Sequence, residues 1–230
     1  MKVFDSLKKK AEESKKVIVF PEGNDDRIIK AAVRLEKEGI VKPLLLGKPD
    51  EVIKTAQSLN VDLGSIEIIN PAVYPDFEKM CQDFVELRKG KNTLAEAKEI
   101  LQDVSYFGTM LVYEGKADGM VSGATHSTAN TVRPALQIIK TKKGMSRVSG
   151  AMIMERGDEK YIFADCAINI DPNSETLAEI AYQSSKTAEM IGLEPKIAML
   201  SFSTKGSAKG PIVTKVQEAA ELVHQKYPDL

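Results

Sequence analysis

Residues 118–144 read DGMVSGATHSTANTVRPALQIIKTKKG and hold the chain's densest set of groups able to bind an anion. Gly123 is followed by Thr125, His126, Ser127 and Thr128, then by Asn130, Thr131 and Arg133. Val132, Leu136, Ile138 and Ile139 supply apolar positions at helical spacing. The order predicts a short buried strand at Met120 and Val121, a polar loop, and a helix. A helix start presents N–H groups that no intrahelical carbonyl reaches, and the macrodipole adds positive potential there. Arg133 adds a fixed charge that can grip a phosphate with two parallel hydrogen bonds. One hydroxyl, at Ser127 or Thr128, is enough to cap a helix. The crowding of hydroxyls here favours an anion site over a cap alone. His126 is a candidate general base near neutral pH and equally a hydrogen-bonded structural residue, so it stays outside the predicted catalytic set.

A second strand–loop–helix pattern follows at residues 196–225. Its loop, SFSTKGSAKG, concentrates donors at Ser203, Lys205 and Ser207. The glycine and lysine spacing is not that of a P-loop. A solvated flexible loop is one reading of it, and phosphate contact is the favoured one. Arg88-Lys89-Gly90-Lys91 ends a predicted helix, where cations complement the dipole or face a ligand. The loop PEGNDDR, residues 21–27, follows a strand, which is where ligands of open parallel sheets gather. Its acidic residues read first as helix caps. Asp165 and Asn169 close a later strand, where Asp165 either forms a turn or lines a cleft.

These groups need a scaffold. Residues 3–14 form an amphipathic helix, and residues 17–20 a buried strand. A helix capped by Asn24 or Asp25 runs to about Glu38, followed by a strand at 41–46. Strand, helix, strand at this spacing is a βαβ unit and predicts a parallel sheet. A helix at 49–59 and a strand at 66–69 repeat the unit. Helices are expected at 74–89 and, as one long element, at 93–115, with Thr93 and Glu96 at capping-box spacing. Residues 148–154 and 161–164 flank Gly157-Asp158 as a hairpin. A helix from about 171 to 192 is rich in small residues, suited to close packing within the subunit or across a dimer. A buried strand at 196–201 and a helix at 211–225 end the sequence. The fold class is α/β: two α/β domains, residues 1–144 and 145–230, with a mainly parallel sheet and the site expected in the cleft between them.

The chain has 230 residues, and its 32 Lys and Arg against 33 Asp and Glu leave a net charge of −1. That near-neutral balance argues against a general nucleic-acid or membrane-surface role. No apolar run reaches the length of a membrane span, and residues 1–16 lack the apolar centre of a signal peptide, so a cytoplasmic location is expected. Cys81 and Cys166 stand far apart and read as free, buried thiols; two histidines make a zinc site improbable.

The runs SGATHSTANTVRPALQIIKT, MLSFSTKGSAKG, VIVFPEGND and FVELRKGK together resemble the phosphate acetyl/butyryl transferases, and among them the acetyl-transferring branch. The resemblance covers nearly the whole chain in order. It implies a fold similar to that of the isocitrate/isopropylmalate dehydrogenases. It also implies reversible transfer of acetyl between acetyl-CoA and phosphate, giving acetyl phosphate and CoA. No metal or redox cofactor is expected, coenzyme A serving as a substrate, and a homodimer is. On this reading Arg133 holds the phosphate or acetyl phosphate oxygens as the catalytic residue. Thr125, Ser127 and Thr128 bind the same group. Arg88 matches a family arginine that contacts substrate, and Ser203, Lys205 and Ser207 meet coenzyme A or phosphate. The family's serine–arginine pair and its aspartate base lie in a further segment with no counterpart here, so the chain reads as a fragment. Phosphate butyryl transfer, or an acyl-CoA- or phosphate-sensing module without turnover, are the alternatives.

Overall fold

The computed structural model describes residues 3–204 and 206–230. The chain forms two units, residues 8–140 and residues 141–230 together with the start of the chain to Leu7.

The first unit is built on four parallel strands. They are β1 (Val17–Phe20), β2 (Lys42–Leu46), β3 (Glu67–Ile69) and β4 (Gly119–Met120), in the spatial order β3-β2-β1-β4. β4 is half-buried and Val121 beyond it is exposed, so the fully buried strand expected at Met120 and Val121 is not what forms. Side chains alternate across the sheet. Val19, Leu44 and Leu46 face α4 (Phe77–Leu87), α5 (Leu94–Ile100), α6 (Val104–Tyr113) and α7 (Thr128–Ile138). Phe20 and Leu45 face α2 (Asp26–Lys37) and α3 (Pro49–Ser58). β2 and the end of β1, the central strands, are buried on both faces, as βαβ crossovers require.

Asp25 caps α2, accepting from the N–H groups of Arg27 at 2.9 Å and Ile28 at 3.4 Å. Thr93 and Glu96 form the expected capping box on α5, with bonds of 3.2 and 2.7 Å. The single helix expected over 93–115 is instead two. Leu101 is drawn into the core, and Asp103 restarts the chain as a cap, accepting from Ser105 and Tyr106 at 2.9 and 3.1 Å. α6 then lies close against the sheet. A Cβ on Gly108 would stand 2.8 Å from the Met120 sulfur and 3.1 Å from Val19 Cγ1. Gly108→Val should therefore lower stability by about 2–3 kcal/mol through overpacking, read as a fall in the urea midpoint without change of slope.

In the second unit, β5 (Ala151–Arg156) and β6 (Glu159–Ala164) pair antiparallel, and α8 (Ser174–Met190) packs on α9 (Pro211–Lys226). Ala178 and Ala181 of α8 meet Val223 of α9, and Tyr182 stacks on Tyr227 with centroids 4.2 Å apart. The small-residue face of α8 is thus used within the chain. The buried strand expected at 196–201 does not form. Those residues pair with no strand among the described residues, and Leu200 is 84% exposed. An apolar sequence becomes a buried strand only where a sheet edge supplies its hydrogen bonds. Cys81 is buried as expected, and burial pushes its thiol pKa up; Cys166 is only half-buried, because the chain turns there.

Candidate active site

Two strands of the first unit determine where its chemistry lies. The chain leaves β1 towards β2 on one side, while β4 lies against β1 on the other. The strand order therefore reverses between β1 and β4, and the crevice at their carboxyl ends is where parallel sheets bind ligands. The loops that meet there are Pro21-Glu22-Gly23, after β1, and residues 121–127, after β4.

Glu22 is the centre of this meeting point. It is 3% exposed and caps no helix; in the 21–27 cluster the expected capping falls to Asp25. One carboxylate oxygen accepts from the N–H groups of Gly123 (3.1 Å) and Ala124 (2.9 Å). The other accepts from the N–H groups of Thr125 (2.6 Å) and His126 (2.8 Å) and from the Thr125 hydroxyl (3.0 Å), and it lies 2.8 Å from His126 Nδ1. Gly123 has φ of 110°, a conformation that L residues with side chains rarely adopt, and it lets four successive N–H groups converge. Gly23 seats Glu22 from the other side: its N–H donates to Leu46 O at 3.1 Å, and a Cβ there would lie 2.5 Å from that oxygen. Arg27 ties α2 to the same loop, pairing with Asp25 and donating to Ala124 O at 2.7 Å.

The anion that these loop N–H groups meet is therefore internal. Burial pushes the Glu22 carboxyl up, but the N–H groups of Thr125, His126 and Ala124 outweigh it and hold its pKa at about 2, against an ordinary 4.5. Folding thus favours the ionised form. The stabilisation is complete above about pH 4.5 and is lost as pH falls towards 2, roughly 3 kcal/mol in all. Urea midpoints measured from pH 6 to 2.5 should fall through that window, and Glu22→Gln should make the fall shallower.

Ser127 caps α7, accepting from Asn130 N–H at 3.3 Å, and Thr128 opens the helix. The first-turn N–H groups of Thr128 and Ala129 lie beyond any intrahelical carbonyl and stand at an exposed end. The hydroxyls of Ser122 and Thr131 are buried without a partner among the described residues.

Arg133 lies about 7.5 Å further along the helix axis from Thr128. It is exposed and is followed by the buried Pro134, whose missing N–H interrupts the helical ladder. Arg88 caps the end of α4, its Nε 3.3 Å from Asn92 Oδ1. The charges of both arginines act on one hydroxyl. Burial pushes the Tyr106 pKa up, while the nearby charges of Arg133 and Arg88 pull it down. Tyr106 donates to Gln137 Oε1 at 3.0 Å and packs edge-on against Phe84. Among the described residues, neither Arg88 nor Arg133 forms an ion pair. Two guanidiniums without an ion-pair partner there suit an anionic ligand. Sequence reasoning missed Tyr106, Gln137 and Glu22. For Glu22, the signal available was an acidic residue placed directly after a buried parallel strand.

The loop predictions in the second unit have a more local outcome. Ser203 Oγ donates to Thr204 O, accepts from Ala208 N–H at 3.1 Å and lies 3.1 Å from Ser207 Oγ. Thr204 Oγ1 donates to Ser207 Oγ at 3.0 Å. These hydroxyls knit the loop into a turn; Lys205 lies outside the described residues. Asp165 forms a turn, accepting from the N–H groups of Ala167, Ile168 and Asn169.

A family model described as phosphate acetyl/butaryl transferase matches residues 2–230. The chain belongs to this family. Among phosphate acetyl/butaryl transferases, it is 58% identical over 209 residues to a phosphate acetyltransferase of Staphylococcus aureus (strain MRSA252), covering 91% of this chain. It spans 64% of that relative's length. A phosphate acetyltransferase of Bacillus subtilis (strain 168) is 51% identical over 228 residues, 99% of this chain and 71% of the relative. The crystal structure of a phosphotransacetylase from Streptococcus pyogenes superposes with a TM-score of 0.95 at 55% identity, covering 99% of this chain and 70% of that one. The α/β fold built on a mainly parallel sheet is thus shared with these transferases.

Proposed function

We propose that this protein is a phosphate acetyltransferase, moving acetyl reversibly between acetyl-CoA and orthophosphate. The observation that carries the proposal is that Arg88 and Arg133 of a family member form no ion pair among the described residues and both act electrostatically on the Tyr106 hydroxyl. Orthophosphate must be held beside a thioester and turned for attack. Arginines and hydroxyls do this without redox chemistry, and fixing the two reactants together supplies much of the rate. Charge that develops on the thioester carbonyl oxygen needs donors aimed at it. Arg133 is assigned to the phosphate oxygens and Arg88 to phosphate or coenzyme A. Thr125, Ser127 and Thr128 are assigned to the edge of the phosphate site, and Ser203, Lys205 and Ser207 to coenzyme A. The substrates are acetyl-CoA and phosphate in one direction and acetyl phosphate and CoA in the other. No cofactor is required. A cytoplasmic homodimer is the proposed setting. No helix among the described residues is long and apolar enough to cross a membrane.

Acyl-chain competition tests the reading. The full gene product should use acetyl-CoA with a higher kcat/KM than butyryl-CoA. Added methylenes change pocket binding only modestly, so the expected preference is about 10–200-fold per group. Preference for butyryl-CoA would move the assignment to the butyryl branch. Tight binding of either thioester without turnover would overturn both.

A further inference from the structure

Glu22 orients one side chain as well as a loop. An ionised carboxylate has no proton to give, so the short contact between Glu22 Oε1 and His126 Nδ1 requires the proton to be on Nδ1. In the neutral ring Nε2 is then an acceptor. Nε2 has no partner among the described residues, and the His126 side chain is 23% exposed. The backbone cannot swing the ring away, because the His126 N–H is held by the same carboxylate oxygen at 2.8 Å. The ring stands at the carboxyl ends of β1 and β4, one residue before the cap of the helix that carries Arg133.

We propose that Glu22 is a positioning residue that holds His126 as the Nδ1–H tautomer, so that Nε2 accepts a hydrogen bond from the hydroxyl of bound hydrogen phosphate. This rests on the acetyl-transfer reading for the identity of the ligand and on the geometry alone for the tautomer. Orthophosphate near neutral pH carries both bare oxygens and a hydroxyl. Arg133 suits the former, and a neutral imidazole nitrogen suits the latter. The pairing would select hydrogen phosphate over anions that have no proton to donate, sulfate among them. A carboxylate fixing one ring nitrogen so that the other can work on substrate is the arrangement that orients histidines in acyl-transfer enzymes and metal sites generally.

Two measurements test it on the full gene product. The ring signals that vanish in His126→Asn identify those of His126 in the native spectrum. Long-range proton–nitrogen correlation at about pH 9, well above the ordinary histidine range, should give His126 a pyridine-type Nε2 and a protonated Nδ1. Glu22→Gln should abolish that preference. An Nε2–H tautomer in the native protein would overturn the proposal. His126→Asn keeps an amide N–H where Nδ1 stood, so it preserves the bond to Glu22, but it has nothing at Nε2. It should leave the melting midpoint near that of the native protein and raise the KM for phosphate at least tenfold, with the KM for acetyl-CoA unchanged. It should also lose discrimination against sulfate as an inhibitor. Native phosphate kinetics in that variant would overturn the substrate contact and reduce His126 to a structural residue. If the native protein itself shows no phosphate-dependent release of thiol, the acetyl-transfer reading fails and takes the phosphate contact with it. The tautomer measurement then decides the Glu22–His126 pairing by itself.

Discussion

Arg133→Ala is expected to lower phosphate-dependent turnover of acetyl-CoA by about 10²–10³-fold, the range seen when one preorganised donor to a reacting group is removed. Stability should barely move. Arg133 is exposed, and among the described residues it forms no hydrogen bond or ion pair whose loss would matter to folding. Surface substitutions of this kind usually stay within about 0.5 kcal/mol. Arg133→Lys should recover only part of the loss, because an ammonium cannot supply two parallel hydrogen bonds. Steady-state kinetics with phosphate varied, alongside urea unfolding of the same preparations, separates the two effects. Unchanged kcat/KM for phosphate in a folded Arg133→Ala protein would remove Arg133 from the site. Arg88→Ala, measured in the same way, shows whether the two cations at Tyr106 act on one ligand, since residues that share a ligand give non-additive losses in the double variant.

Glu22→Ala should cost about 3–5 kcal/mol of stability, the range found when one partner of a buried charged interaction is removed. The reason is what remains. Four N–H groups and a histidine ring would keep pointing at a position with no acceptor, and each unsatisfied buried donor costs about 1–3 kcal/mol before the loop relaxes. The sum is capped by relaxation, because Thr125 sits at an exposed edge where water can enter. Glu22→Gln retains one acceptor oxygen and should lose less. The exposed pair Arg156–Glu159, equally short at 2.6 Å, gives the contrast. Both side chains are largely solvated, and removing either should change stability by less than about 1 kcal/mol. A domain's whole margin is about 5–15 kcal/mol, so Glu22→Ala takes a large share of it. A midpoint close to that of the native protein would show that the loop does not depend on the carboxylate.

The local structure was legible where local rules decide it. The β1–α2–β2 unit, the Asp25 and Ser127 caps and the Thr93–Glu96 box all follow from neighbours within a few residues. The break at Gln102-Asp103 was written in the sequence as a cap residue, but the apolar run on both sides of it reads as one helix. The strand expected at 196–201 shows the limit of hydropathy, since Ile197 and Leu200 are apolar and yet exposed where no sheet edge is offered. The loop after β4 was read as an anion site for a ligand, and the anion it meets in the structure is the Glu22 carboxylate. Its internal partner could not be read, because Glu22 lies 101–104 residues away and reaches it only through the parallel pairing of β1 with β4. Tyr106 and Gln137 were hidden for the same reason: their bond spans 31 residues and depends on how α6 meets α7.

The most direct test of the proposed chemistry is to incubate the purified full gene product with acetyl-CoA, with and without phosphate, and to measure free thiol and acetyl phosphate together. The account predicts that both appear in equal amounts, only when phosphate is present, and that acetyl phosphate and CoA run the reaction backwards. Thiol release that does not require phosphate, or none at all from a folded protein, would contradict it.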